Sequence, residues 1–316
     1  MRRYKRKAVD EFELIQRYFD RRGAASGVIR GVGDDGAVLL PDRGRELIGV
    51  IDTLVERVHF PGDIDPADLG YRAVAINLSD IAAMGGRPRW MTLALTLTDA
   101  DENWVAAFAK GLYEAADEHS VSLVGGDLTR GDDKVVTVQI TGDVAAGKAI
   151  YRSGANVGDT IFVSGTLGDA AAGLEQLSTG ATDSFLTQRF LRPSARVDLG
   201  LSLVDVASAA IDISDGLFGD LNKLLSASGV GAEIDLDSLP VSAALGAACK
   251  RDEQRRFALS GGDDYELCFT APPGARIDSG QLRITPIGKV VSGHGIVCRA
   301  DGEIVDYADC GYRHFQ

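Results

Sequence analysis

The chain has 316 residues, 45% hydrophobic and 25% charged, an ordinary globular mix that excludes wholesale disorder. Lys and Arg total 33 against 46 Asp and Glu, a net charge of −13, so there is no basic footprint and no nucleic-acid partner is expected. No apolar run approaches the ~18 residues of a membrane span, and the basic start Met1-Arg2-Arg3-Tyr4-Lys5-Arg6-Lys7 leads into Asp10-Glu11, so a cytoplasmic protein without membrane contact is expected.

Phe12, Leu14, Ile15, Tyr18 and Phe19 recur at helical spacing and predict a helix over Asp10–Arg21, ended by Gly23. A glycine-rich segment runs from Ala24 to Gly36, and Leu47–Asp52 reads as a short buried strand. Asp65-Pro66 opens a helix that Gly85-Gly86 and Pro88 close. Trp90–Thr98 is expected to be a strand, Asp101–Glu118 an alanine-rich helix, Val121–Val124 a strand running into Gly125-Gly126-Asp127, and Val135–Thr141 a strand of period two. The pattern restarts after Ala145, which suggests an N-terminal domain over 1–145 and a C-terminal domain over 146–316. In the second half, strands are expected at Thr160–Ser164, Ala209–Ile213, Glu233–Leu236 and Tyr265–Thr270. Helices are expected at Gly168–Leu177, Val197–Ala207 and after Gly216, the last with Leu217, Leu221, Leu224 and Leu225 on one face. Strands and helices mix without strict alternation, so the predicted fold class is α+β, with a mixed or antiparallel sheet in the N-terminal domain. Cys249, Cys268, Cys298 and Cys310 include no C-x-x-C pair and read as reduced thiols.

Two nucleotide-binding patterns are near misses. Gly31-Val32-Gly33-Asp34-Asp35-Gly36 spells the dinucleotide pattern but follows no strand, and its two carboxylates would repel a bare phosphate. That repulsion is ~4 kcal/mol per close pair at an effective dielectric near 20. Gly142–Ala149 approaches the P-loop pattern, but Ala149 stands where the Mg²⁺-binding hydroxyl belongs, so a connecting loop is expected.

The aspartates are more telling. Asp80 lies four residues after Ile76 and four before Met84, on or beside the apolar face of its helix, where Asp is rare unless paired or bound to metal. A salt bridge, to a residue such as Arg72, is the other explanation. Asp52, Asp127, Asp212 and Asp215 sit at or just beyond strand ends, Asp263 and Asp264 follow Ser-Gly-Gly, and Asp34 and Asp35 lie in the glycine-rich segment. Singly each reads as a cap or turn residue. As a set they offer hard oxygen ligands for Mg²⁺, with glycine backbone able to approach phosphate.

The motifs G-V-G-D-D-G-A, I-D-T-L-V-x-x-x-H-F, N-L-S-D-I-A-A-M-G-G-x-P, G-G-D-L-T-R-G, Y-R-S-G-A, D-I-S-D-G-L and S-G-G-D-D-Y-E-L follow one another from residue 31 to 267, and the chain ends on Gly311-Tyr312-Arg313-His314-Phe315. This ordered set resembles the thiamine-monophosphate kinase family, within the superfamily named for aminoimidazole ribonucleotide synthetase. The resemblance implies ATP-dependent phosphorylation of thiamine monophosphate, two α+β domains, and a homodimer joined through the N-terminal domains. It implies that Asp35, the Ile51 backbone carbonyl, Asp52, Asp80, Asp127 and Asp212 hold Mg²⁺, with Asp215 at an outer ion. Gly126, Asp127, Arg152 and Ser214 would contact ATP, and His59, Asp263 and Tyr312 the thiamine phosphate. Ile51 and Asp263 depart from the family pattern, which has Thr or Ser and Glu there. Another ATP-using enzyme of the superfamily, or a non-catalytic relative, is the alternative reading. The absence of any Cys before Cys249 speaks against a thiol-dependent sister enzyme.

Overall fold

The structure is a computed structural model that describes residues 11–21, 26–181 and 183–307. Its contacts divide the chain into two compact units, one holding the residues up to Asn77 and Pro88–Asp143, the other Leu78–Arg87 and the chain from Val144 onward.

The first unit begins with a short helix α1 (Glu11–Leu14) that passes into a π-helical turn (Ile15–Phe19). The expected single helix is thus shorter and widened in its second half. The hairpin β1 (Val28–Arg30) and β2 (Val38–Leu39) pairs antiparallel. A four-stranded sheet follows, built from β3 (Arg45–Val55), β4 (Arg87–Leu97), β5 (Ser122–Arg130) and β6 (Val135–Ala145) in the order β3-β6-β4-β5. Between them in sequence lie α2 (Pro66–Ala83), whose residues from Leu78 on belong to the second unit, and α3 (Glu102–Glu118). Helix α2 starts where the sequence predicts: the Asp65 carboxylate accepts from the Ala67 N–H at 2.8 Å, and Pro66 needs no partner at the first helical position. Asp101 caps α3 by accepting from Asn103 and Trp104. The two helices approach closely, since a Cβ on Gly70 would lie 2.2 Å from the Phe108 carbonyl oxygen.

Alternation along the strands sorts the two faces of this sheet. Met91, Leu93, Leu95 and Leu97 are buried, as are Val136, Val138 and Ile140. The opposite face carries hydroxyl and amide rungs, Thr53 to Thr137 at 2.9 Å and Thr96 to Thr129 at 3.0 Å. Strand β5 runs parallel to β4 and lies at the sheet edge. It does not stop at Val124 as expected but carries Gly125-Gly126-Asp127 within it.

The second unit centres on a seven-stranded sheet. Its elements in chain order are β7 (Thr160–Ser164), α4 (Asp169–Ser178), α5 (Phe185–Leu191), α6 (Val197–Leu203), β8 (Ala209–Asp212), α7 (Leu217–Ser228), β9 (Gly231–Asp235), α8 (Ala243–Ala248), α9 (Arg251–Ser260), β10 (Leu267–Ala271), β11 (Ile284–Val291), β12 (Gly295–Ala300) and β13 (Glu303–Val305). The strand order is β13-β12-β9-β11-β7-β10-β8. All the pairings are antiparallel except β12 with β9. Ile161, Val163, Ile211, Leu217, Leu221, Leu224 and Cys268 share one buried cluster with residues of β9, β11 and β12. The leucine face predicted for α7 is its core face. Gly142–Ala149 is the end of β6 and a turn, with no helix after it, as a connecting loop requires. Among the described residues no helix is long and apolar enough to cross a membrane. Cys249, Cys268 and Cys298 are free thiols, and burial pushes Cys298 up to about 11; Cys310 lies outside the described residues.

Two buried carboxylates hold these units in different ways. Asp143, fully buried, takes Arg45 at 2.5 Å and Arg89 at 2.5 Å. Replacing Asp143 with Ala removes the buried carboxylate facing Arg45 and leaves Arg89 with the exposed Asp42, 3.0 Å away, so D143A should lose about 3 kcal/mol of stability; denaturant unfolding at the wild-type midpoint would contradict this. Asp264, also buried, accepts from the N–H groups of Gly168 at 2.7 Å and Ala170 at 3.4 Å, and burial pushes its carboxyl up to about 8. The unfolded carboxyl ionises near pH ~4, so the folded state holds the extra proton between about 4 and 8. The stability from Asp264 is therefore complete below about pH 4 and lost as pH rises through about 8, by up to about 1.4 kcal/mol per pH unit. The difference in unfolding free energy between wild type and D264N should follow that slope, and a pH-independent difference would show Asp264 to be ionised throughout.

Candidate active site

In the first unit a cavity of about 520 Å³ is lined by Val32–Gly36 and by Gly125, Gly126 and Asp127 of β5. Its apolar lining includes Phe12, Ile15 and Phe19 from the N-terminal helical turns and Leu93 and Leu95 from β4. Asp35, distant in sequence from the adjacent Gly126 and Asp127, thus lines one space with them. Two local features make the wall they form. Val124 is an extra residue in the β4–β5 register, because Met91 pairs with Leu123 and Thr92 with Gly125, a bulge that re-aims the residues beyond it. Gly126 then packs so close to β4 that a Cβ would lie 2.0 Å from the Leu93 carbonyl oxygen. As β5 is an edge strand, half of its backbone N–H and C=O groups face away from the sheet.

Asp52 and His59 do not line this cavity. Asp52 is half-buried on the face of β3 that carries buried Ile48 and Leu54, whereas the Ile51 side chain is 64% exposed on the other face. His59 sits in a tight turn after β3 and its Nδ1 accepts from the Val55 N–H at 3.0 Å. That bond assigns the proton of a neutral ring to Nε2.

In the second unit Asp212 ends β8 and Asp215 follows three residues on. Asp212 is buried and accepts from the Ser79 hydroxyl at 2.9 Å, which brings the Ser79-Asp80 turn of α2 to it. The segment Gly261–Glu266 runs alongside, with the Asp263 N–H donated to the Ser214 carbonyl at 2.8 Å and the Tyr265 N–H to the Ile213 carbonyl at 2.9 Å. These bonds tie Ser79, which precedes Asp80, to Asp212, and Asp263 to Ser214, which precedes Asp215. The segment has left-handed φ at Gly262 (71°), Asp263 (61°) and Tyr265 (50°), a backbone cost of about 1–3 kcal/mol for each non-glycine residue. Arg152 is exposed in the loop after β6, and its carbonyl accepts from the Ser228 hydroxyl at 3.1 Å. Tyr312 lies outside the described residues.

Supporting residues were missed from sequence. Glu266 is fully buried and accepts from Ser164 at 2.5 Å, Arg189 at 2.8 Å and Arg196 at 2.7 Å. Asp220 accepts from the N–H groups of Ser214 at 3.0 Å and Asp215 at 2.9 Å, and its burial raises its carboxyl above the usual range. A signal existed for Asp220: it lies on the leucine face of α7, the same anomaly that marks Asp80.

Whether these residues suit Mg²⁺ turns on donor chemistry. The donors are oxygens throughout, the class a hard cation selects. Among the described residues no group of three His, Cys, Asp or Glu converges as a finished cage.

Comparison with known proteins agrees with this anatomy. The family model for the AIR synthase related protein, N-terminal domain, matches residues 33–144, and that for the C-terminal domain matches 156–300. Thiamine-monophosphate kinase of Salmonella typhimurium is 47% identical over 98% of this chain and 99% of its own length. The crystal structure of thiamine-monophosphate kinase from Stenotrophomonas maltophilia K279a superposes with a TM-score of 0.84 at 43% identity, covering 95% of this chain and 99% of that one. AaThiL complexed with AMPPCP and TMP superposes at 0.79 with 36% identity, over 87% of this chain and 89% of that one. With both domain models matched in order and near-complete coverage on each side, the chain belongs to the thiamine-monophosphate kinase family of AIR synthase related proteins.

Proposed function

We propose that the chain transfers the γ-phosphoryl group of ATP to the phosphate of thiamine monophosphate, giving thiamine diphosphate, with Mg²⁺ as the working ion. The observation that carries this reading is the near-full-length identity to enzymes of that name, one of which is solved with AMPPCP and TMP. The chain's own residues are consistent with it. The glycines and aspartates that line the first-unit cavity offer backbone donors and carboxylates for a polyphosphate with its counter-ions. Its apolar lining residues offer a surface for a nucleobase.

In this reading Asp35, the Ile51 carbonyl, Asp52, Asp80, Asp127 and Asp212 hold Mg²⁺, and Asp215 holds an outer ion. Gly126, Asp127, Arg152 and Ser214 bind ATP, and His59, Asp263 and Tyr312 bind thiamine monophosphate. A phosphate oxygen of thiamine monophosphate attacks the γ-phosphorus in line; that P–O bond forms as the bond to the β-phosphate oxygen of ADP breaks. The nucleophile is already ionised at neutral pH, so no general base is needed. The obstacle is charge, because both reactants are anions. Bound Mg²⁺ supplies neutralisation of the non-bridging and leaving oxygens. Arg152 adds a cation, the His59 Nε2–H a donor to the acceptor substrate, and the strained Gly262–Tyr265 backbone fixes Asp263 before substrate arrives.

We further propose that two copies associate through their N-terminal units in the cytoplasm. The support is the open face of β3, where Leu47 and Ile51 are exposed beside the threonine rungs, and the exposed Ile29, Val38 and Leu40 of the hairpin region.

Asp80→Asn is nearly isosteric, so it should melt close to wild type yet lose turnover by at least ~100-fold, the scale of one lost transition-state charge contact. A salt-bridge role would instead lower thermal stability while specific activity of the folded fraction held. Direct transfer also requires both substrates together. Initial-rate plots at several fixed substrate levels should intersect, and γ-labelled ATP alone should leave no label on protein; parallel lines with a labelled Ser214 or His59 peptide would establish a phosphoenzyme instead.

A further inference from the structure

The N-terminus of α7 holds a cation where helix electrostatics disfavour one. Lys223 lies in the second turn, and its side chain returns toward the start of the helix. Its Nζ donates to Asp215 Oδ2 at 2.6 Å and to Asp220 Oδ1 at 2.8 Å. The helix start carries partial positive charge and attracts anions, so only these carboxylates keep the ammonium there. They are not equivalent. Asp220 is 1% exposed and its other oxygen is committed to the Ser214 and Asp215 N–H groups. The Asp215 side chain is 34% exposed and the Lys223 side chain 45%. Asp220 is thus the fixed anchor of Lys223, and Asp215 the partner that solvent can reach.

We propose that Lys223 is a built-in counter-ion that occupies the Asp215 carboxylate in the metal-free protein and excludes free divalent ions from it. This rests on the reading above that Asp215 serves an outer ion. An ion arriving with a polyphosphate brings an anion that the same helix end attracts. That ion takes Asp215 while Lys223 stays on Asp220. A free ion lacks that second attraction and must displace the ammonium unaided. The device couples occupancy of the outer ion site to nucleotide, so that an acidic protein does not fill the site with metal alone.

The test uses Mn²⁺ as the probe and the full chain without nucleotide, with free Mn²⁺ counted by electron paramagnetic resonance. K223Q should bind Mn²⁺ roughly tenfold more tightly than wild type, since removing one adjacent cation leaves both carboxylates uncompensated. K223R, which keeps the charge, should stay near wild type and guards against an effect of altered packing. The gain should vanish in K223Q/D215N. Unchanged or weaker binding by K223Q, or a gain that survives in the double variant, would overturn the proposal. Turnover of D215N across a Mg²⁺ titration separates this failure from failure of the underlying reading. A raised Mg²⁺ requirement in D215N with no gain in K223Q sinks the counter-ion alone. Wild-type Mg²⁺ dependence in D215N removes Asp215 from the metal set and the proposal with it.

Discussion

Glu266 is the constraint on which the Ser214–Asp215 and Gly261–Glu266 segments of the second unit depend. Its carboxylate is removed from water and held by Ser164, Arg189 and Arg196, while its backbone carbonyl takes the Ile213 N–H at 2.8 Å. Arg189 also donates to the Asp264 carbonyl at 3.1 Å. Side chains at 264 and 266 are therefore drawn inward, and Asp263 and Tyr265 between and before them are forced into left-handed conformations. A strained loop persists only where its surroundings over-determine it, and here two arginines and the start of α4 do so. The strain fixes the chain against Ser214 and Asp215 without any contribution from ligand.

The recurring problem in this protein is negative charge. A chain of net charge −13 that, on the function proposed above, takes polyphosphates cannot rely on a basic surface. Each unit instead combines carboxylates with backbone donors: Asp35 and Asp127 with Gly125-Gly126 in one, Asp215 and Asp220 with the start of α7 in the other. Carboxylates gather cations, and backbone N–H groups meet the anions those cations bring. Arg45 and Arg89 take no part, since both are committed to Asp143.

Much of this was legible in the sequence, for specific reasons. Strong periodicity and clear punctuation gave α2 and α3, because Asp65-Pro66, Asp101 and Gly85-Gly86 act through local geometry alone. Asp80 stood out because an acid on an apolar helical face demands a partner. Three other features depend on partners distant in sequence. Gly125-Gly126 looked like a strand end, since glycine usually breaks a strand; only the Leu93 carbonyl on the neighbouring strand explains it inside β5. The widened turn at Ile15–Phe19 follows a helical repeat that cannot distinguish α from π geometry over five residues. Glu266 lies 70 residues from Arg196, and no local pattern joins them.

The position of Gly125-Gly126 in the outermost strand has a consequence for solubility. Exposed sheet edges are templates on which other chains can add a strand, the first step toward aggregation. A long, regular edge of β-branched residues would be the most dangerous form. Here the bulge at Val124 breaks the edge's regularity, and the two glycines beyond it favour extended structure poorly. Asp127 then places a charge on the rim. The features that let backbone approach a phosphate thus also make β5 a poor surface for misassembly, so restoring an unbroken apolar edge there would endanger the protein even before it touched catalysis.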